Sequence, residues 1–178
     1  MTKYIALLRG INVGGNKKVS MAKLKELFQN LGFHNVSTYI NSGNVMFESD
    51  EKSDKKLVSI IEAGLIKHFG FEIPIVVRSV DEIRMIAKAI PESWQNNTEQ
   101  RTDILFLWAD FDNKKTLDLI QQTANVDTLI YTKGAIIWHF DRKHYSKSSM
   151  HKFIGTTVYK NMTARNVNTV RKIVGMVG

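Results

Sequence analysis

The segment VSTYINSGNVMFE, residues 36–48, decides the fold of this protein. Its first part, residues 36–40, alternates apolar and polar side chains, as a half-buried β-strand does. Residues 41–44 are rich in turn-forming side chains, and the mostly apolar residues 45–48 then return as a second strand. We therefore predict a β-hairpin here, and the elements on either side determine the sheet that it joins.

The sequence before the hairpin predicts one strand and one helix. Residues 3–8 are mostly apolar and predict a central strand. Ser20 is a favourable N-cap for a helix that ends at Gly32. The inward face of that helix repeats at helical spacing through Met21, Leu24, Leu27, Phe28 and Leu31.

The sequence after the hairpin predicts a second helix and an edge strand. The helix starts near Asp54 and ends at Gly70. Residues 73–78 follow as a strand, which Pro74 places at a sheet edge because proline has no backbone N–H to donate. The order strand–helix–strand–strand–helix–strand is that of a ferredoxin-like unit.

The rest of the chain predicts a second unit of the same kind. A short helix over residues 81–90 closes the first unit, and the polar segment that follows has no periodicity. We assign residues 1–91 to a first ferredoxin-like unit, 92–101 to a linker, and 102–178 to a second, incomplete ferredoxin-like unit. The predicted fold class is α+β, with two ferredoxin-like units packed in one compact protein.

The second unit repeats the order of elements without repeating the sequence. Strands are predicted over residues 103–109, 127–132 and 135–140. We expect Asp112 to cap a helix between the first two of these strands, and a closing helix over residues 164–176.

Three stretches of the chain resemble a known family. They are YIALLRGINVGGNKKVSMAKLKELFQNLGF at residues 4–33, STYINSGNVMFES at 37–49, and TARNVNTVRKIV at 163–174. Together they resemble the bacterial domain-of-unknown-function family 1697. The family usually has an aromatic residue after the asparagine of the third motif, where this chain has Val167. The resemblance implies paired ferredoxin-like units and implies no reaction.

Composition and the N-terminal sequence favour a cytoplasmic protein. The chain has 178 residues, 43% of them hydrophobic and 24% charged, as is ordinary for a soluble globular protein. It has no cysteine, which excludes disulfides and thiolate metal sites. The N-terminus lacks the apolar region of a signal peptide, and the longest apolar runs are too short to span a bilayer. We expect no membrane association.

The net charge of +8 is unevenly distributed. Residues 133–178 contain nine Lys or Arg and one acid, and residues 1–47 contain six and one. Residues 48–132 contain ten basic and fifteen acidic residues, so the two ends supply all the positive charge. Clustered positive charge favours a polyanionic partner, and the alternative is that it only keeps the protein soluble.

The glycine-rich stretch over residues 9–18 fits neither standard phosphate-binding motif. Gly10 and Gly15 have the spacing of a P-loop, but Asn16 stands where that motif requires lysine. The glycines also miss the register of the dinucleotide fingerprint. Two interpretations remain, because these glycines provide either a turn with positive φ or a nest of backbone amides for an anion.

Two expected helix N-termini carry basic residues where an anion would be stabilising. The helix capped by Ser20 follows Lys17 and Lys18, and the closing helix is expected to have Arg165 in its first turn. The other expected helices start with acids, as the helix dipole favours. A bound anion would offset the unfavourable interaction of these basic residues with the helix dipole. Local ion pairing of the basic residues is the alternative explanation.

We therefore hypothesise one composite cleft made from both ends of the chain. Basic side chains would supply charge, while amides and hydroxyls would supply directed hydrogen bonds. The candidate ligand- and anion-binding residues are Arg9, Asn12, Gly14, Gly15, Lys17, Asn41, Ser42, Asn44, Thr163, Arg165 and Asn166. The expected partner is nucleic acid or a phosphate-bearing small molecule, with no cofactor. The cleft exists only if the motifs of both ends meet in space.

Other patterns give weaker hypotheses. Three histidines near Asp141 do not have metal-ligand spacing, and the serines at residues 146–149 lack the sequence of a nucleophile elbow, so no metal site or hydrolase is predicted. Aromatic residues interleave with lysines over residues 138–159, a mixture that suits stacking on single-stranded nucleic acid. Strand alternation, however, predicts that Trp138 and Phe140 face the core.

The sequence leaves three classes of function open. The leading interpretation is a cytoplasmic, non-enzymatic binding module for a polyanion, either nucleic acid or a phosphate-bearing ligand. The second is an enzyme acting on a phosphorylated small molecule in the same pocket. Its weakness is that residues 9–18, 41–44 and 163–166, which supply the candidate site, contain no carboxylate to act as general base. The third is a protein-interaction domain whose motifs serve only packing.

Overall fold

Two four-stranded antiparallel sheets form the framework of the protein. A computed structural model describes all of residues 1–178. It divides into a first unit, Met1–Asp81 with Val177, and a second unit, Glu82–Met176 with Gly178. Each sheet is packed with helices, so the predicted α+β fold of two ferredoxin-like units is confirmed.

The first unit has the predicted order of elements. They are β1 (Thr2–Leu8), α1 (Met21–Asn30), β2 (His34–Tyr39), β3 (Asn44–Ser49), α2 (Asp54–Phe69) and β4 (Ile75–Ser79). The strand order is β2-β3-β1-β4, so β1 is central and β4 is an edge strand. Both positions agree with the prediction from the apolar residues of β1 and from Pro74.

Side chains at the helix ends explain where α1 and α2 begin and end. The Ser20 hydroxyl accepts a hydrogen bond from the backbone N–H of Lys23, and Ser53 caps α2 in the same way. Gly70 ends α2 with a φ of 80°, a conformation that glycine adopts without steric cost. The helices cover one sheet face, where Phe28, Phe33 and Phe47 form an aromatic cluster.

The second unit repeats the topology of this sheet. It contains most of α3 (Val80–Lys88), then β5 (Gln100–Leu107), β6 (Thr128–Thr132), β7 (Ala135–Asp141), α4 (Met150–Phe153), β8 (Met162–Asn166) and most of α5 (Val167–Val177). The strand order β6-β7-β5-β8 matches that of the first unit position by position. No helix in the protein is long and apolar enough to cross a bilayer.

The helix that Asp112 was expected to cap is absent. Only a 3₁₀ segment, Lys114–Leu119, forms there, and its N-cap is Asn113. The Asp112 carboxylate instead accepts hydrogen bonds from the Gly134 N–H at 2.7 Å and the Tyr131 hydroxyl at 2.9 Å. It therefore holds the turn between β6 and β7, a role that depends on contacts distant in sequence.

The closing helix begins three residues later than expected. Residues Met162–Asn166 form strand β8, so Arg165 lies on a strand and not in the first turn of a helix. The Asn166 side chain caps α5 by accepting a hydrogen bond from the Thr169 N–H at 3.0 Å. The expectation that Arg165 opposes a helix dipole was therefore wrong.

The polar segment over residues 92–101 lies within the second unit. Thr102 donates to the Gln95 carbonyl at 2.8 Å, and Arg171 donates to the Gln95 side chain at 3.1 Å. The Asn168 amide donates to the Asn96 carbonyl at 2.9 Å. These bonds attach the segment to β5 and α5.

Candidate functional site

The glycine-rich loop after β1 is a small hairpin. Val13 pairs with Asn16 across a two-residue turn, and the Asn16 N–H donates to the Val13 carbonyl at 3.0 Å. Gly14 and Gly15 occupy the turn with φ values of 58° and 77°. A tight hairpin turn of this kind needs positive φ at both central residues, which explains the glycine pair by backbone geometry.

Asn12 joins this loop to the hairpin turn between β2 and β3. Its Oδ1 accepts from the Val19 N–H at 2.8 Å, and its Nδ2 donates to the Val19 carbonyl at 3.0 Å. The same Nδ2 donates to the Asn41 carbonyl at 2.8 Å. The Asn12 side chain therefore fixes the glycine-rich loop against the hairpin turn at residues 41–44.

The turn at residues 41–44 is also held from within. Asn44 is fully buried and donates to the Tyr39 carbonyl at 2.8 Å and the Ser42 hydroxyl at 3.0 Å. Gly43 has a φ of 86° and accepts a hydrogen bond from the Leu8 N–H at 2.9 Å. This part of the predicted site therefore shapes the backbone near the end of β1.

A surface cavity of about 830 Å³ opens beside the loop and the start of α1. Of the predicted residues, Asn12, Gly15 and Asn41 line it. The other lining residues are Lys18, Val19, Ser20, Met21, Lys23, His68 and Phe69. The ionisable ones are Lys18, Lys23 and His68, so no carboxylate lines the cavity.

Sequence reasoning omitted these three ionisable residues from its candidate list. Lys18 is one of the two lysines that precede the Ser20 cap, and of these only Lys17 is among the candidates. Lys23 lies in the first turn of α1, one place where an anion would be stabilised, and that position was a usable signal. His68 lies at the far end of α2 and reaches the cavity only through the tertiary fold, so no local pattern could have indicated it.

Other predicted residues of the first unit do not line the cavity. Lys17 has a φ of 47° and donates through Nζ to the Glu72 carbonyl at 3.1 Å. Arg9 is half-buried at the end of β1, and its backbone N–H donates to the Pro74 carbonyl at 2.9 Å. Gly14, Ser42 and Asn44 are likewise outside the lining.

The predicted residues of the second unit are grouped on β8. Arg165 is buried, and its Nη1 donates to the Thr163 hydroxyl at 3.0 Å and the Ala164 carbonyl at 2.8 Å. Burial lowers the pKa of Arg165 to about 10, and the charge of Tyr159 opposes that shift. The guanidinium is therefore still a cation at neutral pH. The predicted cleft between the Arg9 and Arg165 motifs stays a prediction, because the two lie in different units.

A buried carboxylate organises the region of the serines and histidines. Asp127 accepts hydrogen bonds from the Ser148 hydroxyl at 2.6 Å and the Trp138 indole at 3.1 Å. Its other oxygen accepts from the N–H groups of Ser149 and Thr123, each at 3.0 Å. Burial raises the pKa of Asp127, but these hydrogen bonds outweigh burial and lower it overall. Ser148 is thus engaged as a structural donor.

His139 is held in one orientation. The Thr102 hydroxyl donates its single hydrogen to the Gln95 carbonyl, so it accepts from Nδ1–H of His139 at 2.8 Å. The imidazole stacks on Trp94 with ring centroids 4.5 Å apart. Burial lowers the pKa of His139, and Asp141 acts in the opposite direction. No three His, Asp or Glu side chains are placed to hold a metal ion.

Comparisons with known proteins extend over both units. The family model described as "Protein of unknown function (DUF1697)" matches residues 1–138. A solved structure described as that of the conserved bacterial protein SP0830 from Streptococcus pneumoniae is 33% identical, with a TM-score of 0.86 over 99% of each chain. No curated protein matches the chain.

Proposed function

The chain belongs to the DUF1697 family, whose function is unknown, and we propose that it is a binding module for a phosphate-bearing ligand. The ligand would be held in the cavity of the first unit. The observation that carries this proposal is the charge of the lining. Lys18 and Lys23 are cationic, His68 is the third ionisable side chain, and no carboxylate is present to repel an anion.

The size and shape of the cavity suit a small ligand. Its volume of about 830 Å³ falls within the usual range of ligand sites, about 300–1,000 Å³. Met21 and Phe69 contribute apolar surface beside the basic side chains. A phosphate with an organic group attached therefore matches the whole lining, while an inorganic phosphate such as pyrophosphate should bind through the lysines alone.

The framework of the cavity is fixed before a ligand arrives. Asn12 uses both ends of its amide to join the loop to the turn at Asn41, so the wall does not depend on the ligand for its shape. A preformed wall lowers the entropic cost of binding. Lys18 and Lys23 are exposed, so their long side chains have room to adjust to the position of the phosphate.

Binding without catalysis fits the lining better than the enzyme alternative. A general base must lie within hydrogen-bond reach of the proton that it removes. His68 is the only general-base candidate in the lining, and no carboxylate accompanies it. An enzyme in this cavity would therefore depend on His68 alone.

Calorimetric titration with inorganic pyrophosphate tests the proposal. Lys18→Gln and Lys23→Gln each remove one charged donor, and we expect each to weaken binding about tenfold. Lys25→Gln is the matched control, because Lys25 is exposed on α1, as Lys23 is, and does not line the cavity. Equal affinities in all three variants, or no binding of pyrophosphate by the wild type, would contradict the proposal.

A further inference from the structure

A second basic surface lies on the other unit, after β7. Residues 142–160 contain five Lys or Arg and two His, with no Asp or Glu, and the exposed Asp141 stands just before them. We call Lys143, Tyr145, Lys147, His151 and Lys152 the Tyr145 surface. None of these residues contributes to the cavity of the first unit.

Arg142 has a structural role and is not counted in the Tyr145 surface. Its Nε donates to the Asn97 carbonyl at 2.6 Å, and its Nη2 donates to the Asn96 side chain at 3.0 Å. The exposed lysines differ, since Lys143, Lys147 and Lys152 form no ion pair. None of the three lysine cations is therefore paired with a carboxylate, although Lys143 borders a surface cavity that Glu99 and Asp141 also line.

One aromatic residue is exposed in the same segment as these lysines. Tyr145 is 51% exposed, whereas Trp138, Phe140 and Phe153 are at most 5% exposed. The Tyr145 ring lies 6.3 Å from the buried Phe140 ring, which supports it, and 6.3 Å from the ring of His151. Of the aromatic residues that the sequence interleaves with lysines, Tyr145 is thus the exposed one, since Tyr159 is half-buried.

The backbone that carries the Tyr145 surface is anchored by Asp127. Ser148 and Ser149 both donate to this carboxylate, at 2.6 Å and 3.0 Å. The Thr123 hydroxyl donates to the Lys147 carbonyl at 2.8 Å. Because these bonds fix the segment, little backbone order has to be gained when a partner binds.

From these observations we infer that the Tyr145 surface binds single-stranded nucleic acid. Lysines without carboxylate partners attract phosphates, and their contacts release counterions. An exposed ring stacks on a base, which is accessible only when the base is unpaired. A purely anionic partner would use the lysines and leave the ring without a role. The inference is independent of the small-ligand cavity, since the two share no residue.

Fluorescence anisotropy with a labelled oligouridylate at several salt concentrations tests this inference. The triple variant Lys143→Gln, Lys147→Gln, Lys152→Gln should weaken binding at least tenfold. It should also reduce the slope of log affinity against log salt by about 2, since each contact with a single strand contributes about 0.7. The charge-matched control changes Lys25, Lys52 and Lys55, all exposed in the first unit, to Gln and should bind nearly as the wild type does.

Variants at Tyr145 separate stacking from charge. Tyr145→Leu should weaken binding about fivefold or more, the low end of the effect of one stacked base, whereas Tyr145→Phe should retain affinity because it keeps the ring. A labelled duplex should bind more weakly and be insensitive to Tyr145→Leu. Far-ultraviolet circular dichroism confirms that each variant is folded.

Four results would overturn the inference. The first is the absence of oligouridylate binding at low salt. The second is an equal loss in the two triple-lysine variants, which would make net charge the cause. The third is unchanged affinity in folded Tyr145→Leu, which would leave the ring without a role in binding. The fourth is displacement by polyglutamate as effective as by unlabelled oligouridylate, which would make the site a general polyanion surface.

Discussion

Asn12 donates a hydrogen bond from Nδ2 to the backbone carbonyl of Asn41 at 2.8 Å, across 29 positions of sequence. The bond joins the loop after β1 to the hairpin turn between β2 and β3, and these are the two motifs of the first unit. Both residues line the cavity. The motif asparagine thus acts on the site by shaping its wall.

Replacing Asn12 should destabilise the protein and widen the loop. Asn12→Ala removes three hydrogen bonds and places alanine at a φ of 54°, so we expect a loss of about 3–4 kcal/mol in the free energy of unfolding. Asn12→Gly adopts the same backbone conformation without strain, so its free energy of unfolding should fall by about 1 kcal/mol less than that of Asn12→Ala. Urea unfolding measures both, and equal losses would show that the backbone conformation contributes nothing.

Gly43 should be far less replaceable than Gly70. Both have positive φ, of 86° and 80°. A Cβ at Gly43 would lie 2.8 Å from Leu8 and Ile11 side-chain atoms, whereas nothing lies within 4 Å at Gly70. Gly70→Ala should cost about 1 kcal/mol, and Gly43→Ala about 1–3 kcal/mol more. Thermal unfolding compares them, and similar midpoints would contradict the geometry of the turn.

Asp127→Asn should destabilise the second unit in a pH-dependent way. The hydrogen bonds to Asp127 lower its pKa below the usual 3.8. Its ionised form therefore stabilises the fold above the unfolded pKa, and this contribution is lost as the pH falls through the folded pKa. The difference between wild type and Asp127→Asn in urea unfolding should be large at pH 7 and shrink below about pH 4. A difference that does not change with pH would contradict this role.

His139 should make the protein less stable in mild acid. Burial lowers its pKa from 6.5, so the folded state holds the neutral imidazole while the unfolded state takes up a proton first. Stability is therefore complete above the unfolded pKa and falls as the pH drops below about 6.5. His139→Gln should flatten this part of the unfolding profile. An unchanged profile would show that His139 is protonated equally in both states.

The elements that the sequence predicted correctly depend on local signals. The hairpin at residues 36–48 has alternation and turn residues, the start of α1 has the Ser20 cap, and the position of β4 follows from Pro74. Each of these signals acts within a few residues, so a single sequence displays it.

The errors arose where distant contacts overrode local signals. The sequence predicts Asp112 as a helix N-cap, but its carboxylate accepts hydrogen bonds from Gly134 and Tyr131 in the fold. The sequence predicts Arg165 in a helix because a helix follows closely. Pairing of β8 with β5 instead holds the backbone at Arg165 extended. His68 joined the cavity from a helix end far along the chain. Such contacts leave no trace in local periodicity.

Residue-by-residue NMR mapping of pyrophosphate binding tests the central claim most directly. With the backbone amides assigned, titration should shift the signals of residues 18–21, Lys23, Asn41, His68 and Phe69, all of which line the cavity. The signals of Lys25 and of the Tyr145 surface should move little at the same pyrophosphate concentration. Shifts confined to the cavity would establish the phosphate site in the first unit. Shifts elsewhere, or none at saturating pyrophosphate, would contradict it.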